Sequence, residues 1–293
     1  MTTLATHTRI PVGRAVKDTM VLVRRNMAKN IRLPQLLVFA TIQPVMFLLL
    51  FNYVFGGSIG LALPPAAGGK YINWLLPGLL IQVATFGASQ TAIGLTDDLK
   101  NGVIDRFRSL PMARSAVLAG RTIADLVRNT FVIGLMLTVG AIVGFRPGTS
   151  WLGLLAGFGL ALLFAFAFSW AMAAMGLLVK DPETAQIAGF LPLFPLVFAS
   201  SVFTPTDTMP NWLRAFADNQ PITVVANAVR GLTLGREALA DVTYGLGGAT
   251  VTPEALAAAP SVGGQVALAL IWIAGIILVF GPLSVRMYRK TAD

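Results

Sequence analysis

The stretch WLGLLAGFGLALLFAFAFSWAMAAMGLLV, Trp151–Val179, runs for 29 residues without one charged side chain. The hydrocarbon core of a bilayer is about 30 Å thick and needs roughly 20 helical residues to cross it. Backbone N–H and C=O groups find no water there, so such a run must be a helix. Working outward from it, five further apolar runs satisfy the same length: 36–55, 72–96, 123–145, 184–203 and 265–285. The sequence therefore predicts an all-α integral membrane protein with six transmembrane helices. The run at 123–145 is the least clean, because Asp125 and Arg128 lie near its start. They are three apart, on one helix face, and can pair. That intramembrane ion pair is read either as a bridge at the interface end of the helix or as a contact to the transport path or a partner subunit.

Composition agrees. Hydrophobic residues make up 55% of the 293 and charged residues 12%, against about 25% charged in a soluble domain. Mean hydropathy is +0.73. There is no cysteine, and the single histidine is His7, in a polar tail, so neither thiolate chemistry nor a metal or His-based catalytic centre is expected. The net charge of +9 does not point to nucleic acid, which would require the charges to gather on a soluble face. Instead they flank the apolar runs. The first 30 residues or so are polar and basic, with no apolar core before Arg32, unlike a secretory signal.

Orientation follows from Lys and Arg. Of the 22, sixteen fall in the N-terminal segment (Arg9, Arg14, Lys17, Arg24, Arg25, Lys29, Arg32), the loop after the second run (Lys100, Arg106, Arg108, Arg114, Arg121), Lys180, and the tail (Arg286, Arg289, Lys290). The positive-inside rule puts both termini in the cytoplasm. The chain divides as 1–35, cytoplasmic tail and amphipathic helix; 36–285, membrane domain; and 286–293, cytoplasmic tail. Abundant Ala and Gly fit a bacterium with GC-rich DNA, hence a bacterial plasma membrane.

Val16, Met20, Val23, Met27 and Ile31 recur at helical spacing, with Arg14, Lys17, Arg25 and Arg32 opposite. This N-terminal amphipathic interfacial helix reads equally as an anionic-lipid anchor and as an elbow that touches a cytoplasmic partner. Proline punctuates the runs at Pro44, Pro77, Pro192, Pro195 and Pro282, where kinks are expected. The pairs Gly140/Gly144 and Gly153/Gly157 permit close helix packing.

Two loops are informative. In 97–114, Leu99, Val103, Ile104, Phe107 and Leu110 form an apolar stripe among Asp98, Lys100, Asp105, Arg106 and Arg108. One short amphipathic helix over 99–110, ended by Pro111, would rest on lipid or insert into a groove of another protein. Charge of both signs weakens the lipid reading. In 204–264, Trp212, Leu213 and Phe216 face one side of a short helix, Asn219-Gln220-Pro221 is a break, and Val225, Ala228, Val229 and Leu232 form a second apolar face. Two short helices at the outer leaflet are expected there, serving as a lid or as an external gate. Residues 245–264 read as irregular loop.

The six-run plan, the basic N-terminal helix, the Leu110-Pro111-Met112-Ala113-Arg114 segment and the Met209-Pro-Asn-Trp-Leu…Asn-Gln-Pro-Ile222 segment together resemble the ABC-2 type exporter permeases, and within them the daunorubicin-resistance branch. The resemblance implies a permease homodimer, or a pair with a similar permease, in contact through the first and fifth spans. It implies an ATP-binding cassette subunit that binds ATP and Mg, and a helix over 99–110 that couples the two. Asp98, Val103, Arg106, Phe107 and Arg108 take the coupling role; Trp212, Phe216, Asn219 and Pro221 take the gate. Asp97 and Asp98 stand where this branch often carries Glu. The implied cargo is an amphipathic drug, antibiotic, polyketide or lipid, with polysaccharide or glycolipid export as the alternative.

The residues exclude ATP chemistry on their own account: Gly68-Gly69-Lys70-Tyr71 fails both the spacing and the hydroxyl of a phosphate-binding loop. No cofactor is expected in this chain. A secondary transporter not coupled to ATP stays an alternative, though it would need ionisable groups at mid-membrane, of which the runs hold almost none. A membrane enzyme would need a nucleophile beside Asp97, Asp98 and Asp105, and the cluster lacks one. Phe47, Phe51, Phe86, Phe164, Phe166 and Phe168 either line an apolar route or face lipid and pack.

Overall fold

The computed structural model describes residues 12–32, 34–60, 63–64, 67–108, 112, 114–179, 181–240, 243–245 and 248–290. His7, Arg9, Lys180, the Leu110-Pro111 break and the last three residues lie outside them. The chain is almost entirely helical. Its helices are α1 (Val12–Arg32), α2 (Pro34–Leu50), α3 (Gly56–Gly60), α4 (Tyr71–Lys100), α5 (Val103–Arg108), α6 (Arg114–Val143), α7 (Trp151–Val179), α8 (Pro182–Phe198), α9 (Asn211–Asn219), α10 (Pro221–Leu234), α11 (Pro253–Ala258) and α12 (Val262–Lys290). A π-helical turn, Phe51–Phe55, joins α2 to α3.

Five helices among the described residues are long and apolar enough to cross a membrane: Leu37–Gly60, Tyr71–Lys100, Ala116–Val143, Trp151–Val179 and Val262–Lys290. The run expected at 184–203 is shorter than foreseen. It forms the 17-residue α8, carries Pro192 and Pro195, and ends at Phe198, whereas the other five run for 24 to 30 residues.

The centre of the bundle is α4. Every side chain from Tyr71 to Thr85 is buried, so the helix has no polar face, and α6, α7, α8 and α10 pack around it. By contrast α12 buries only Ala269, Ile273, Ile276, Ser284 and Tyr288, one narrow stripe at helical spacing. Its other face exposes Leu270, Ile271, Leu278 and Val279. An apolar surface of that extent suits lipid, not water.

Small residues bring the helices together. A Cβ at Gly176 would lie 2.8 Å from the Ala92 carbonyl oxygen, and one at Gly153 would collide with that of Leu232. Gly140 sits against Leu76 and Gly157 against Val229 and Thr233. Three of the four glycines in the two sequence pairs thus pack helices within this chain. Gly144 does something else: at φ +117° it ends α6, with its N–H and that of Phe145 both donating to the Gly140 carbonyl.

Three expectations are corrected. The helix foreseen over 99–110 is broken: Leu99 and Lys100 belong to α4, Gly102 turns the chain at φ +65°, and only Val103–Arg108 forms α5. Glycine adopts that left-handed conformation without steric cost. Next, α10 does not lie at the surface. Residues from Ile222 to Leu234 are nearly all buried between α4, α7 and α12, because the apolar residues of α10 are mostly small and its polar ones, Thr223, Asn227, Arg230 and Thr233, find hydrogen-bond partners within the protein. Finally, residues 245–264 are not irregular throughout. β1 (Thr243–Gly245) pairs antiparallel with β2 (Gly248–Thr250), and α11 follows with Thr252 accepting from the Ala255 N–H as its N-cap.

Candidate transport site and its two flanks

At the end of the bundle that carries α1 and α5, the coupling residues of the sequence analysis are tied into the fold. Asp98, at the end of α4, is buried, and its Oδ1 accepts from Arg25 Nη2 of α1 at 3.1 Å. The same guanidinium lies 5.1 Å from the centre of the Phe107 ring. Ile104 is buried in a cluster with Leu22, Leu95, Leu118, Leu177 and Tyr288, and Phe107 packs on its edge. The short α5 therefore packs chiefly on α4 and joins a cluster to which α1, α6, α7 and α12 also contribute. Val103 is half-buried and Arg106 exposed. Arg108 closes α5. Beside them Lys100 Nζ bridges to Asp181 Oδ1 at 3.2 Å. Asp181 also caps α8, its Oδ2 accepting from the N–H and the hydroxyl of Thr184, each at 3.0 Å. The Thr184 N–H, then the Lys100 and Thr184 side chains, hold the Asp181 carboxyl below the usual carboxylate range.

The expected Asp125–Arg128 pair is replaced by different partners. Asp125 Oδ2 accepts from Thr91 Oγ1 at 2.7 Å and from Arg121 Nε at 3.3 Å, one turn earlier on α6. Arg128 turns instead to α4, where Nη2 donates to the Gly87 carbonyl at 2.7 Å. That carbonyl is reachable because Gly87 has no side chain: a Cβ there would collide with Asn129.

Between α2, α4, α6 and α8 lies a cavity of about 220 Å³. Phe47, Phe86 and Phe190 form its apolar part; Gln43, Gln82 and Arg128 belong to its polar part. A second cavity of about 460 Å³ shares Ala40, Gln43, Gln90, Ile93 and Arg128 with the first and extends past Arg121 and Asp97 to Asn26 of α1. The two form one recess that runs from the α1 end into the bundle. Ligand sites are typically concave and largely apolar, with a few placed polar groups, and this recess has that make-up. From it a train of rings continues along α8. Phe86 is 4.9 Å from Phe190, Phe190 is 6.2 Å from Phe194, Phe194 is 4.3 Å from Phe198, and Phe198 is 4.9 Å from Phe203. Phe203 in turn stacks on Phe51 at 4.6 Å, and Phe51 meets Phe47 at 5.9 Å. Of the six aromatics singled out in the sequence, Phe47, Phe51 and Phe86 thus join this train, while Phe164 is buried in the α7 core and Phe166 pairs with Trp170.

At the other end, α9 exposes Trp212 (75%) and Phe216. The Asn219 side chain donates to the Ala215 carbonyl of its own helix, and Pro221 starts α10. The residue that joins this end to the bundle is Gln220, which the sequence marked only as part of the Asn219-Gln220-Pro221 break. Its Nε2 donates at 2.8 Å to the carbonyls of both Leu196 and Ala199, at the end of α8. Arg230, on α10, is a second polar residue that ties this end to the bundle. It is 0% exposed. Nε donates to the Trp74 carbonyl, Nη1 to Ser201 Oγ and Asn227 Oδ1, and Nη2 to the carbonyls of Ser201 and Val202. Its guanidinium carbon also lies 3.9 Å from the centre of the Trp74 ring. The signal was an Arg three residues after Asn227 in a helix without other charges, but nothing in the spacing names carbonyls as partners.

No group of three or more His, Cys, Asp or Glu among the described residues is placed to hold a metal ion. Residues 17–234 match the ABC-2 type transporter family. The chain is 30% identical over 289 residues to the daunorubicin resistance ABC transporter permease protein DrrB1 of Streptomyces coeruleorubidus, covering 99% of this chain and 92% of that one. It is 24% identical over 260 residues to the probable doxorubicin resistance ABC transporter permease protein DrrC of Mycobacterium tuberculosis (86% and 81% covered), and 24% identical over 221 residues to the putative transport permease ycf38 of Cyanophora paradoxa (74% of each).

Proposed function

The chain belongs to the ABC-2 type transporter family, and from that premise we propose that it is the membrane half of an exporter driven by a separate ATP-binding cassette subunit. The recess that opens at the α1 end and leads into the train of phenylalanines is the observation that carries this reading. It offers an amphipathic small molecule or lipid a polar mouth and an aromatic route.

In this reading α8 is a sixth crossing, near the short end of the spanning range of about 17–25 residues, and α10 is a re-entrant helix that supports it. Both termini are cytoplasmic. The apolar faces of α2 and α8, with Phe39, Met46, Ile187 and Leu191 exposed, meet a second permease copy and close the route. On α5, Arg106 and Phe107 face the ATP-binding subunit, while Asp98 acts through Arg25 to hold α5 in place. Trp212 and Phe216 anchor the outer gate in the interface, as amphipathic aromatic rings do.

The test is co-purification with the cognate ATP-binding subunit in lipid nanodiscs. Replacing Arg106 and Phe107 together with Ala is expected to abolish stimulation of ATP hydrolysis while membrane insertion stays normal. Undiminished stimulation overturns the coupling assignment.

A further inference from the structure

Among the residues that line the recess between α2, α4, α6 and α8, Arg128 is the sole ionisable side chain in the inner cavity. Its position is unusual for a charge inside a membrane bundle, where ionisable groups are normally paired. The adjacent carboxylate, Asp125, is already engaged by Arg121 and Thr91. Among the described residues, Arg128 makes one hydrogen bond, to the Gly87 carbonyl, out of the five donors of a guanidinium. A second group in the same cavity is also unsatisfied. Gln82 is 3% exposed, and its Oε1 has no protein hydrogen-bond partner. The cavity thus presents an unused cation and an unused acceptor beside Phe47, Phe86 and Phe190.

We propose that this cavity binds an amphiphile bearing an oxyanion, with Arg128 holding the carboxylate or phosphate, Gln82 accepting a hydroxyl or amide proton, and the three phenylalanines covering the apolar body. A guanidinium matches the two oxygens of a carboxylate or phosphate with parallel N–H bonds. A cationic amine gains nothing in the inner cavity, where the guanidinium repels it; the carboxylates of Asp97 and Asp125 line the outer cavity instead. The proposal rests on the exporter reading and narrows its cargo to anionic amphiphiles.

Binding can be measured without ATP or a partner subunit, so its outcome is separate from that of the coupling test. The full-length chain in neutral detergent is titrated with four probes: fluorescently labelled dodecanoate, its methyl ester, the matching dodecyl phosphate, and doxorubicin as the amine. The carboxylate or the phosphate is expected to bind at least tenfold tighter than the ester and the amine. Arg128→Gln should erase that preference while leaving ester affinity within twofold, and Arg128→Lys should keep part of it. Phosphatidic acid competing with the labelled probe identifies a membrane lipid as the source of the oxyanion; competition by single-chain acids alone identifies a free amphiphile. An acid-to-ester ratio below threefold in the unmodified chain overturns the proposal, whether or not the variants fold. Equal weakening of acid and ester in Arg128→Gln also overturns it, since that reports a merely structural residue.

Discussion

Replacing Arg230 with Met keeps most of the side chain's length but removes the guanidinium. The structure sets the cost. Five hydrogen bonds vanish, to the Trp74, Ser201 and Val202 carbonyls and to the Ser201 and Asn227 side chains, together with the stacking on Trp74. Interhelical hydrogen bonds in membrane proteins average about 0.6 kcal/mol, and a desolvated cation over Trp contributes about 1–2 kcal/mol. The loss is therefore roughly 4 kcal/mol. Removal of a buried charge can instead stabilise, when its partners are removed with it. Here the acceptors stay behind, and those of Ser201 and Val202 lie in the turn after α8, where no helix supplies another donor. The assay is SDS-induced unfolding in mixed micelles, followed by tryptophan fluorescence, with Arg230→Lys alongside. Lys keeps the charge but cannot fork to several acceptors, so it should recover less than half of the loss. Stability of Arg230→Met within 1 kcal/mol of the unmodified chain would refute the reasoning.

Two further outcomes follow from close contacts at other places. Gly176→Ala drives a Cβ to 2.8 Å from the Ala92 carbonyl oxygen. Backbone cannot yield as a side-chain tip does, so a loss of about 1–3 kcal/mol is expected in the same unfolding assay, and an unchanged midpoint would mean that α4 and α7 separate freely. At Asp181 the prediction concerns pH. Its folded-state pKa is depressed, chiefly by the Thr184 N–H, so its contribution is present above the unfolded carboxylate value of about 3.9 and fades as pH falls through the lower folded value. Hydrogen exchange at the Thr184 amide should stay slow from neutral pH down to about 4 and accelerate only below it. Asp181→Ala should be fast throughout, and a wild-type transition near pH 6 would assign the cap to another group.

Legibility of the fold varied with the kind of signal. Length and hydropathy are properties of a single segment, so the five long helices could be read from the sequence directly; α7, with no charge in 29 residues, is the plainest. The failures all needed knowledge of neighbours. Residues 99–110 have continuous helical periodicity, yet Gly102 breaks them because α5 must turn to reach the cluster of Leu22, Leu118 and Tyr288. Val225, Ala228, Val229 and Leu232 read as one apolar face of a surface helix, whereas the residues between them are enclosed too, Arg230 by hydrogen bonds to segments distant in sequence. The site was partly legible. The spacing of Asp125 and Arg128 drew attention to α6, and Arg121, four residues before Asp125 on the same helix, was open to the same spacing argument. Gly87 could be identified as the partner of Arg128 only once α4 was packed alongside. Gln82, Gln220 and the phenylalanine train join segments far apart in sequence, and no local pattern announces them.

Three arginines lie within the packed helices, and each is accommodated differently. Arg121 has a carboxylate, Asp125, at 3.3 Å. Arg230 has no carboxylate partner among the described residues but has five acceptors and a ring, which together use its donors. In both, the charge is neutralised or solvated by protein, although Arg121 also borders the outer cavity. Arg128 is the exception, with one carbonyl, a cavity in front of it and an unpaired Gln82 oxygen within the same walls. Desolvating a guanidinium costs several kcal/mol, and a fold able to enclose Arg230 completely has the means to enclose Arg128 as well. That it leaves this one open, at the junction of the two cavities, is the reason to assign Arg128 to cargo rather than to stability.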